Sequence, residues 1–212
     1  MYRVTVVAPQ NPALDVRRSV LDATIAIIAA DGPDAVSMRE VARRAGVSHQ
    51  APYHHFEDRA GIFAAVAEEG FRIFTRDFRA VVETTNSPLS DCLRSYLRFA
   101  IGHPGHFKVM FRSDICGVST HEPTRAAADE AFLVLLDFAR KVDPTAQSGP
   151  DPLALPVLLW SHAHGLATLL IDGPLERKLP PGLSVDSLID SVAGIMESLF
   201  AGIDRRLSDS HH

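Results

Sequence analysis

Apolar residues recur every three or four positions along almost the whole of this 212-residue chain. That spacing is typical of α-helices that bury one face, because it repeats about once per helical turn. Glycine and proline adjoin at residues 32–33, 104–105 and 173–174, where a helix cannot readily continue. Apart from the first few residues, no segment alternates apolar and polar residues as a strand does. The sequence therefore predicts an all-α protein of about nine helices.

The sharpest local signal is a short helix that begins after Ser37. Ser37 and Glu40 have the spacing of a capping box, in which each side chain satisfies a backbone N–H at the start of the helix. Gly46 predicts a tight turn after about two helical turns, and Ser48 can cap a third helix over residues 49–55. Two short helices joined by such a turn and packed on a longer preceding helix form a helix-turn-helix unit.

A third helix in this position would expose hydrogen-bonding side chains along one face, since residues four apart lie one turn apart. Such side chains read base edges in a major groove, where glutamine pairs with adenine. Arginines on the second helix and at the start of the fourth are placed to meet phosphates, as is a helix N-terminus. The predicted DNA-binding residues are Ser37, Arg39, Arg43, Ser48, His49, Gln50, Tyr53, His54 and Arg59.

The net charge of −5 argues only against indiscriminate binding of nucleic acid, because the local charge of a binding surface matters more than the total. Residues 37–56 carry three arginines against a single glutamate. The acidic excess lies elsewhere, so a DNA-binding surface in this segment is compatible with an acidic chain.

The composition also indicates a compartment. Cys92 and Cys116 are the two cysteines and lie far apart, which argues against a disulfide scaffold and fits a reducing cytoplasm. No apolar run approaches the ~18 residues that cross a bilayer, and the N-terminus lacks the features of a signal peptide. We therefore expect a cytoplasmic protein without a membrane partner.

Motifs for catalysis are missing from the sequence. It has no Gly-rich phosphate loop, no Gly-x-Ser-x-Gly and no His-Glu-x-x-His, so we expect no enzyme, no catalytic residues and no cofactor. His162 and His164 lie about 200° apart on a helix and cannot chelate one ion together. No metal site is predicted, and His164 is expected to be buried and hydrogen bonded near a pocket or a dimer seam.

Several large side chains are candidates to line a ligand cavity between helices, although most aromatic residues at helical spacing belong to a core. Such a cavity would take an apolar or amphipathic small molecule. A helical ligand-binding or interaction protein without DNA binding is the alternative, and the polar third helix argues against it. The candidate ligand-binding residues are Phe74, Phe78, His103, Phe107, Met110, Phe111, Trp160 and His164.

The run from Ser37 to Ser48, followed by Ala51-Pro52-Tyr53-His54-His55-Phe56, resembles the DNA-binding domain of the TetR family of bacterial repressors. The resemblance extends over residues 14–63, and the family usually has lysine where Arg59 stands. It implies that Tyr53 and His54 contact the DNA backbone while residues 48–50 lie nearest the bases.

The resemblance also implies a homodimer with two domains, a helix-turn-helix domain over residues 14–57 and a helical ligand-binding and dimerisation domain over 58–207. Within the second, Trp160-Ser161-His162-Ala163-His164-Gly165 is similar to the Trp-His-Gly (WHG) signature of one C-terminal subgroup, and residues 103–111 resemble a further segment of it. In this family the last two helices form the dimer interface. The implied function is a ligand-responsive repressor that leaves its operator DNA when a small molecule binds.

Overall fold

The computed structural model describes residues 12–145, 151–173 and 175–209, and within these ranges it contains nine α-helices and no strand. The all-α prediction is confirmed, and most helix bounds agree with the sequence pattern within a few residues. The helices are α1 (Pro12–Asp31), α2 (Met38–Ala45), α3 (Ala51–Phe56), α4 (Arg59–Thr84), α5 (Pro88–Gly102), α6 (Pro104–Met110), α7 (Glu122–Val142), α8 (Ala154–Ile171) and α9 (Val185–Asp209).

The described chain divides into two compact units. The first comprises the described residues up to Gly70 together with Gly105–Arg125, and the second comprises Phe71–Pro104 and the described residues from Ala126 onward. Helix α6 and the first half of α4 therefore belong to the same unit as α1–α3. The predicted domain boundary after residue 57 stays a prediction.

The first unit has a core of apolar side chains from α1, α2 and the start of α4. Helix α6 lies against α1 in the same unit, since Lys108 Nζ donates to the Ala29 carbonyl (3.2 Å). Gly105 is buried there, and a Cβ added to it would lie 2.5 Å from the Ile25 carbonyl oxygen. The fully buried side chains of this core include Val20, Ile27, Ile28, Val41, Ile62, Phe63 and Val66.

A charged network joins three helices of the first unit. Arg18 on α1 donates to both carboxylate oxygens of Glu69 on α4 (2.5 and 3.1 Å) and also pairs with Asp22. His106 on α6 is buried, and its Nε2 donates to Glu69 (3.1 Å). Hydrogen bonding from His106 and Arg18 lowers the pKa of Glu69 from 4.5 to about 2, against the opposing effect of burial.

Acidification is expected to weaken the first unit through Glu69. Its folded-state pKa is depressed, so its contribution is present above pH 4.5 and is lost as the pH falls from 4.5 towards 2. After allowance for the half-exposed Arg18, we expect this loss to lower the free energy of unfolding by about 1–2 kcal/mol. Urea unfolding of the wild type and Glu69→Gln at pH 5.5 and pH 3 measures this, and the variant should lose less stability on acidification. Equal losses in the two proteins would contradict the assignment.

The junction of α3 and α4 is strained at Glu57, which has φ 63° and ψ −58°. Asp58 N–H donates to the Phe56 carbonyl across this residue (2.6 Å), so the chain makes a γ-turn. Asp58 Oδ1 then accepts from Gly61 N–H (2.8 Å), so Asp58 caps α4.

Relief of this strain should stabilise the protein. Glu57→Gly is expected to raise the Tm by about 2–4 °C, because a non-glycine residue held at positive φ costs on the order of 1 kcal/mol. Glu57→Ala is the matched control, since it removes the same charge but keeps a Cβ, and it should give no comparable gain. Thermal unfolding followed by circular dichroism compares the three proteins. A Tm for Glu57→Gly at or below that of Glu57→Ala would rule out the strain.

In the second unit, α5 packs against both α8 and α9. Polar pairs hold α5 to α9, since Arg94 Nε donates to Asp190 (2.7 Å) and the Ser90 hydroxyl donates to Glu197. Helix α8, by contrast, leaves apolar side chains exposed on its outer face. This exposed apolar face is available for further contacts.

Helix α8 is the one helix among the described residues that is long and apolar enough to cross a membrane by length and composition alone. The expectation that no segment reaches this length is therefore wrong for α8. The reason is that the helix has two apolar faces. One contributes Leu159, Ala163 and Ala167 to the core, whereas Leu158 and Leu169 on the other face are 56% and 48% exposed.

Candidate DNA interface and ligand site

The turn between α2 and α3 is built as its sequence predicts. Ser37 Oγ accepts the Glu40 N–H (3.2 Å) and caps α2. Gly46 ends the helix in the left-handed conformation, with φ 68° and ψ 27°. Val47 N–H donates to Ala42 (3.1 Å) and Gly46 N–H to Arg43 (3.3 Å), which together form a Schellman motif. This closed turn fixes the direction in which α3 leaves α2.

The other half of the predicted capping box is wrong. The Glu40 carboxylate accepts from Arg43 (2.8 and 2.7 Å) and Arg44 (2.8 Å) instead of from the backbone of Ser37. Two guanidinium groups, three and four residues further along the helix, attract the carboxylate more strongly than one N–H does. The same hydrogen bonds lower the pKa of Glu40 to about 2.

The third helix begins later than predicted. Its first residue is Ala51 and Gln50 is its N-cap, so the expectation that Ser48 caps a helix from His49 is wrong. Pro52 lies in the first turn and has no N–H to donate, and the first bond of helical spacing runs from His54 N–H to the Gln50 carbonyl (3.2 Å).

The predicted reading face is nevertheless present. His49, Gln50, Tyr53 and His54 are all exposed, and Ser48 beside them is exposed too. The rings of His49 and Tyr53 lie one turn apart with centroids separated by 5.9 Å. The buried Pro52 and Phe56 anchor the opposite side of α3. Such a face can hydrogen bond to bases and phosphates in a groove, and the role of each residue stays a prediction.

The arginines predicted to contact phosphates differ in whether they already have partners within the protomer. Arg39 is exposed and has no ion pair within the described residues, whereas Arg43 is bound to Glu40. Arg59 donates to the Pro33 carbonyl (2.8 Å) and stacks over the Phe63 ring at 4.8 Å. Arg39 is therefore the more available cation, and Arg59 also holds α4 to the turn that follows α1.

Sequence reasoning missed one cation beside this surface. Arg17 on α1 is exposed, and its guanidinium lies 5.0 Å from the centroid of the Phe56 ring at the end of α3. No local motif marks Arg17, because its aromatic partner is distant in sequence and only the packing of α1 on α3 brings them together.

Five of the eight candidate ligand residues belong to one aromatic cluster in the second unit. Phe74 stacks on Phe78 at 5.0 Å and meets Phe99 edge-on at 5.3 Å. Sequence reasoning missed three members, which lie on α5 and α7 and carry no motif. The cluster comprises Phe74, Phe78, Tyr96, Phe99, His103, Phe138, Trp160 and His164.

His164 is hydrogen bonded in this cluster, since its Nδ1 lies 2.9 Å from the Tyr96 hydroxyl. Burial lowers the pKa of His164, so the neutral ring is favoured. The side chain is half-buried and His162 on the same helix is exposed. Among the described residues, no group of three or more His, Cys, Asp or Glu side chains could hold a metal ion.

The other three candidate ligand residues lie in the first unit. Phe107 and Met110 are buried, and Phe107 meets Phe111 edge-on at 5.4 Å. Met110 lies against Gly70, where an added Cβ would come within 2.5 Å of its sulfur. These residues pack α6 inside its own unit, and a ligand contact by any of them stays a prediction.

Two family models match the chain. The model for bacterial regulatory proteins of the tetR family matches residues 20–66, and that for a tetracyclin repressor-like C-terminal domain matches residues 89–192. The HTH-type transcriptional regulator BetI of Cronobacter sakazakii is 30% identical over 169 residues, which cover 74% of this chain and 76% of that protein.

Solved structures share the fold. A protein of unknown function from Rhodococcus sp. RHA1 is 26% identical, with 88% of this chain and 94% of that chain covered and a TM-score of 0.66. AibR in complex with isovaleryl coenzyme A and operator DNA is 18% identical, with 85% and 97% covered and a TM-score of 0.61.

The helix-turn-helix, the attached helical unit and these matches define a ligand-responsive, DNA-binding transcriptional regulator that is not an enzyme. The chain belongs to the TetR family. Members of this family bind operator DNA and small-molecule effectors. The finer resemblance of its C-terminal half to the Trp-His-Gly subgroup stays a prediction.

Proposed function

We propose that this protein is a cytoplasmic, homodimeric repressor that releases its operator when an amphipathic small molecule binds to its second unit. The observation that supports DNA binding is the exposed face of His49, Gln50, Tyr53 and His54, which the closed turn at Gly46 fixes in place. Two such faces in a dimer would enter successive major grooves about 34–36 Å apart, or somewhat more, on a near-palindromic site.

The outer faces of α8 and α9 support a dimer. Apolar residues on both helices are exposed, including Ile195 at 61% and Leu199 at 62% on α9. Gly165 and Gly194 lie among these exposed residues, and a Cβ on either would meet nothing within 4 Å. The protomer itself therefore does not require glycine there. Close approach of a second copy gives both the exposed side chains and the small residues a reason.

The aromatic cluster of the second unit supports the effector part of the proposal. Its rings present a largely apolar environment with a few polar groups, such as the Tyr96–His164 pair, which is the usual composition of a small-molecule site. AibR, which has the same fold, was solved with an acyl-coenzyme A, an amphipathic molecule. Release of DNA requires that the effector bind one of the two states of the dimer more tightly.

Fluorescence anisotropy with promoter DNA from upstream of the gene tests the proposed DNA binding. Tyr53→Ala is expected to weaken binding to all sequences by about 10-fold, because a phosphate contact carries no sequence information. Gln50→Ala should instead change the preference among base substitutions in the site, by about 1–3 kcal/mol at one position.

Glu122→Ala is the matched control, since it removes an exposed side chain at the start of α7, and it should leave the affinity unchanged. No saturable, salt-sensitive binding of the wild type to any promoter fragment would defeat the proposal and favour a ligand-binding protein without DNA binding. An equal and sequence-blind loss from Tyr53→Ala and Gln50→Ala would refute the division of roles.

A further inference from the structure

A groove lined by polar and apolar side chains runs between the second half of α4 and α5 in the second unit. Its volume is about 630 Å³, which is within the range of sites for small molecules. The α5 residues that line it, from Asp91 to His103, span about 18 Å at the rise of an α-helix. Thr85, Asn86 and Ser87 close one end. We call this space the α4–α5 groove.

Most of the charged side chains that line the groove already have partners within the protein. Arg94 donates to Asp190 (2.7 Å) and to Asp91 (3.3 Å), and the second oxygen of Asp91 accepts from the Thr85 hydroxyl (2.6 Å). Asp77 on the α4 side accepts from Arg76 (2.7 Å). These groups satisfy one another within the protein.

Arg98 is the exception. It lines the groove, is exposed, and makes no ion pair or hydrogen bond to any part of the chain that the structure describes. The groove therefore offers one uncommitted positive charge with the planar donor geometry that matches a carboxylate or a phosphate. An anion is the ligand charge that this lining favours.

The same stretch of α5 supplies an apolar surface. Phe99 and His103 line the groove one turn apart with their ring centroids 5.2 Å apart, and Val81 lines it from α4. Phe99 in turn meets Phe74 edge-on at 5.3 Å, so the groove ends on the aromatic cluster. A ligand held at Arg98 would thus have an apolar contact beside its charge.

We propose that the α4–α5 groove binds an amphipathic organic anion, with Arg98 as the counter-ion of its carboxylate or phosphate and the Phe99–His103 pair as the support of its apolar part. The inference rests on the proposed function in that this anion is the effector. It adds the charge of the effector and the residue that selects it.

Isothermal titration with 4-phenylbutyrate, phenyl phosphate, inorganic phosphate and the uncharged 4-phenylbutyramide tests the groove in the full-length protein. At least one of the two aryl anions should bind with a Kd of about 1 mM or tighter. Arg98→Gln should weaken that binding by about 10-fold or more, and Arg98→Lys by less because the charge remains. The amide and inorganic phosphate should bind at least about 10-fold more weakly than the better aryl anion.

Arg140→Gln is the matched control, because it removes an exposed arginine from α7 in the same unit, and it should bind like the wild type. A second variant, Ser95→Trp, fills the groove without changing its charge and should abolish binding of the aryl anion. No binding of either aryl anion, or binding that Arg98→Gln leaves unchanged, would overturn the proposal. Equal affinity for inorganic phosphate would overturn its amphipathic part.

Promoter-DNA anisotropy on the same samples separates this inference from the proposed function. Arg98→Gln should bind DNA like the wild type but resist release by the aryl anion. If the wild type binds DNA and the anion binds without dependence on Arg98, the groove assignment fails and the regulator proposal stands. If the wild type binds no promoter DNA, the proposed function fails whatever the titration shows.

Discussion

Ile195→Arg is expected to convert the proposed dimer to a 23.1 kDa monomer and to lower the affinity for operator DNA by about 100-fold or more. Ile195 is 61% exposed in the protomer, so an arginine there leaves the folded protomer intact. Within a dimer interface the same guanidinium would lose water without gaining a partner, at a cost of several kcal/mol. The operator would then meet one reading face instead of two tethered ones.

Light scattering at micromolar concentration and promoter anisotropy measure the two effects. Leu133→Arg is the matched control, because Leu133 on α7 is 58% exposed and lies outside α8 and α9. It should remain dimeric and bind DNA normally. A wild-type particle of 23.1 kDa, or a dimer that survives Ile195→Arg, would contradict the assignment of the interface to these helices.

The parts of the fold that the sequence predicts well are those with one local solution. Gly46 occupies a left-handed position that favours glycine, so the turn after α2 could be located from its residue type alone. Ser37 and Asp58 accept backbone N–H groups three residues ahead, which is a short-range geometry. The reading face follows from helical spacing and the position of this turn.

The features that escaped prediction are those in which several partners compete or the partner is distant. The spacing of Glu40 fits a capping box and an ion pair equally, and two neighbouring arginines decide between them. Pro52 has no N–H to donate, so the first bond of helical spacing forms at His54 and α3 begins later than predicted. Arg98 lacks any motif, and its uncommitted charge becomes visible only once the partners of Arg94 and Asp77 are known.

Gly105→Val is expected to lower the Tm by about 6–12 °C, the largest stability loss predicted for a single exchange in this chain. A Cβ at Gly105 would lie 2.5 Å from the Ile25 carbonyl oxygen and 2.9 Å from Ile25 Cγ2. The oxygen belongs to the backbone of α1 and cannot rotate away, so α6 must move off α1. Overpacking of this kind costs about 3 kcal/mol, and each kcal/mol corresponds to about 2–4 °C in a chain of this size.

Gly102→Val is the matched control, because a Cβ at this exposed position at the end of α5 meets nothing within 4 Å. It carries the same β-branched side chain into a helix terminus, and its Tm should fall by less than about 2 °C. Thermal unfolding followed by circular dichroism compares both with the wild type. If Gly105→Val were as stable as Gly102→Val, the contact of α6 with α1 would be too loose to hold Lys108 at Ala29. The displacement of α6 expected from Gly105→Val would also separate His106 from Glu69, so this variant should lose less stability on acidification than the wild type does.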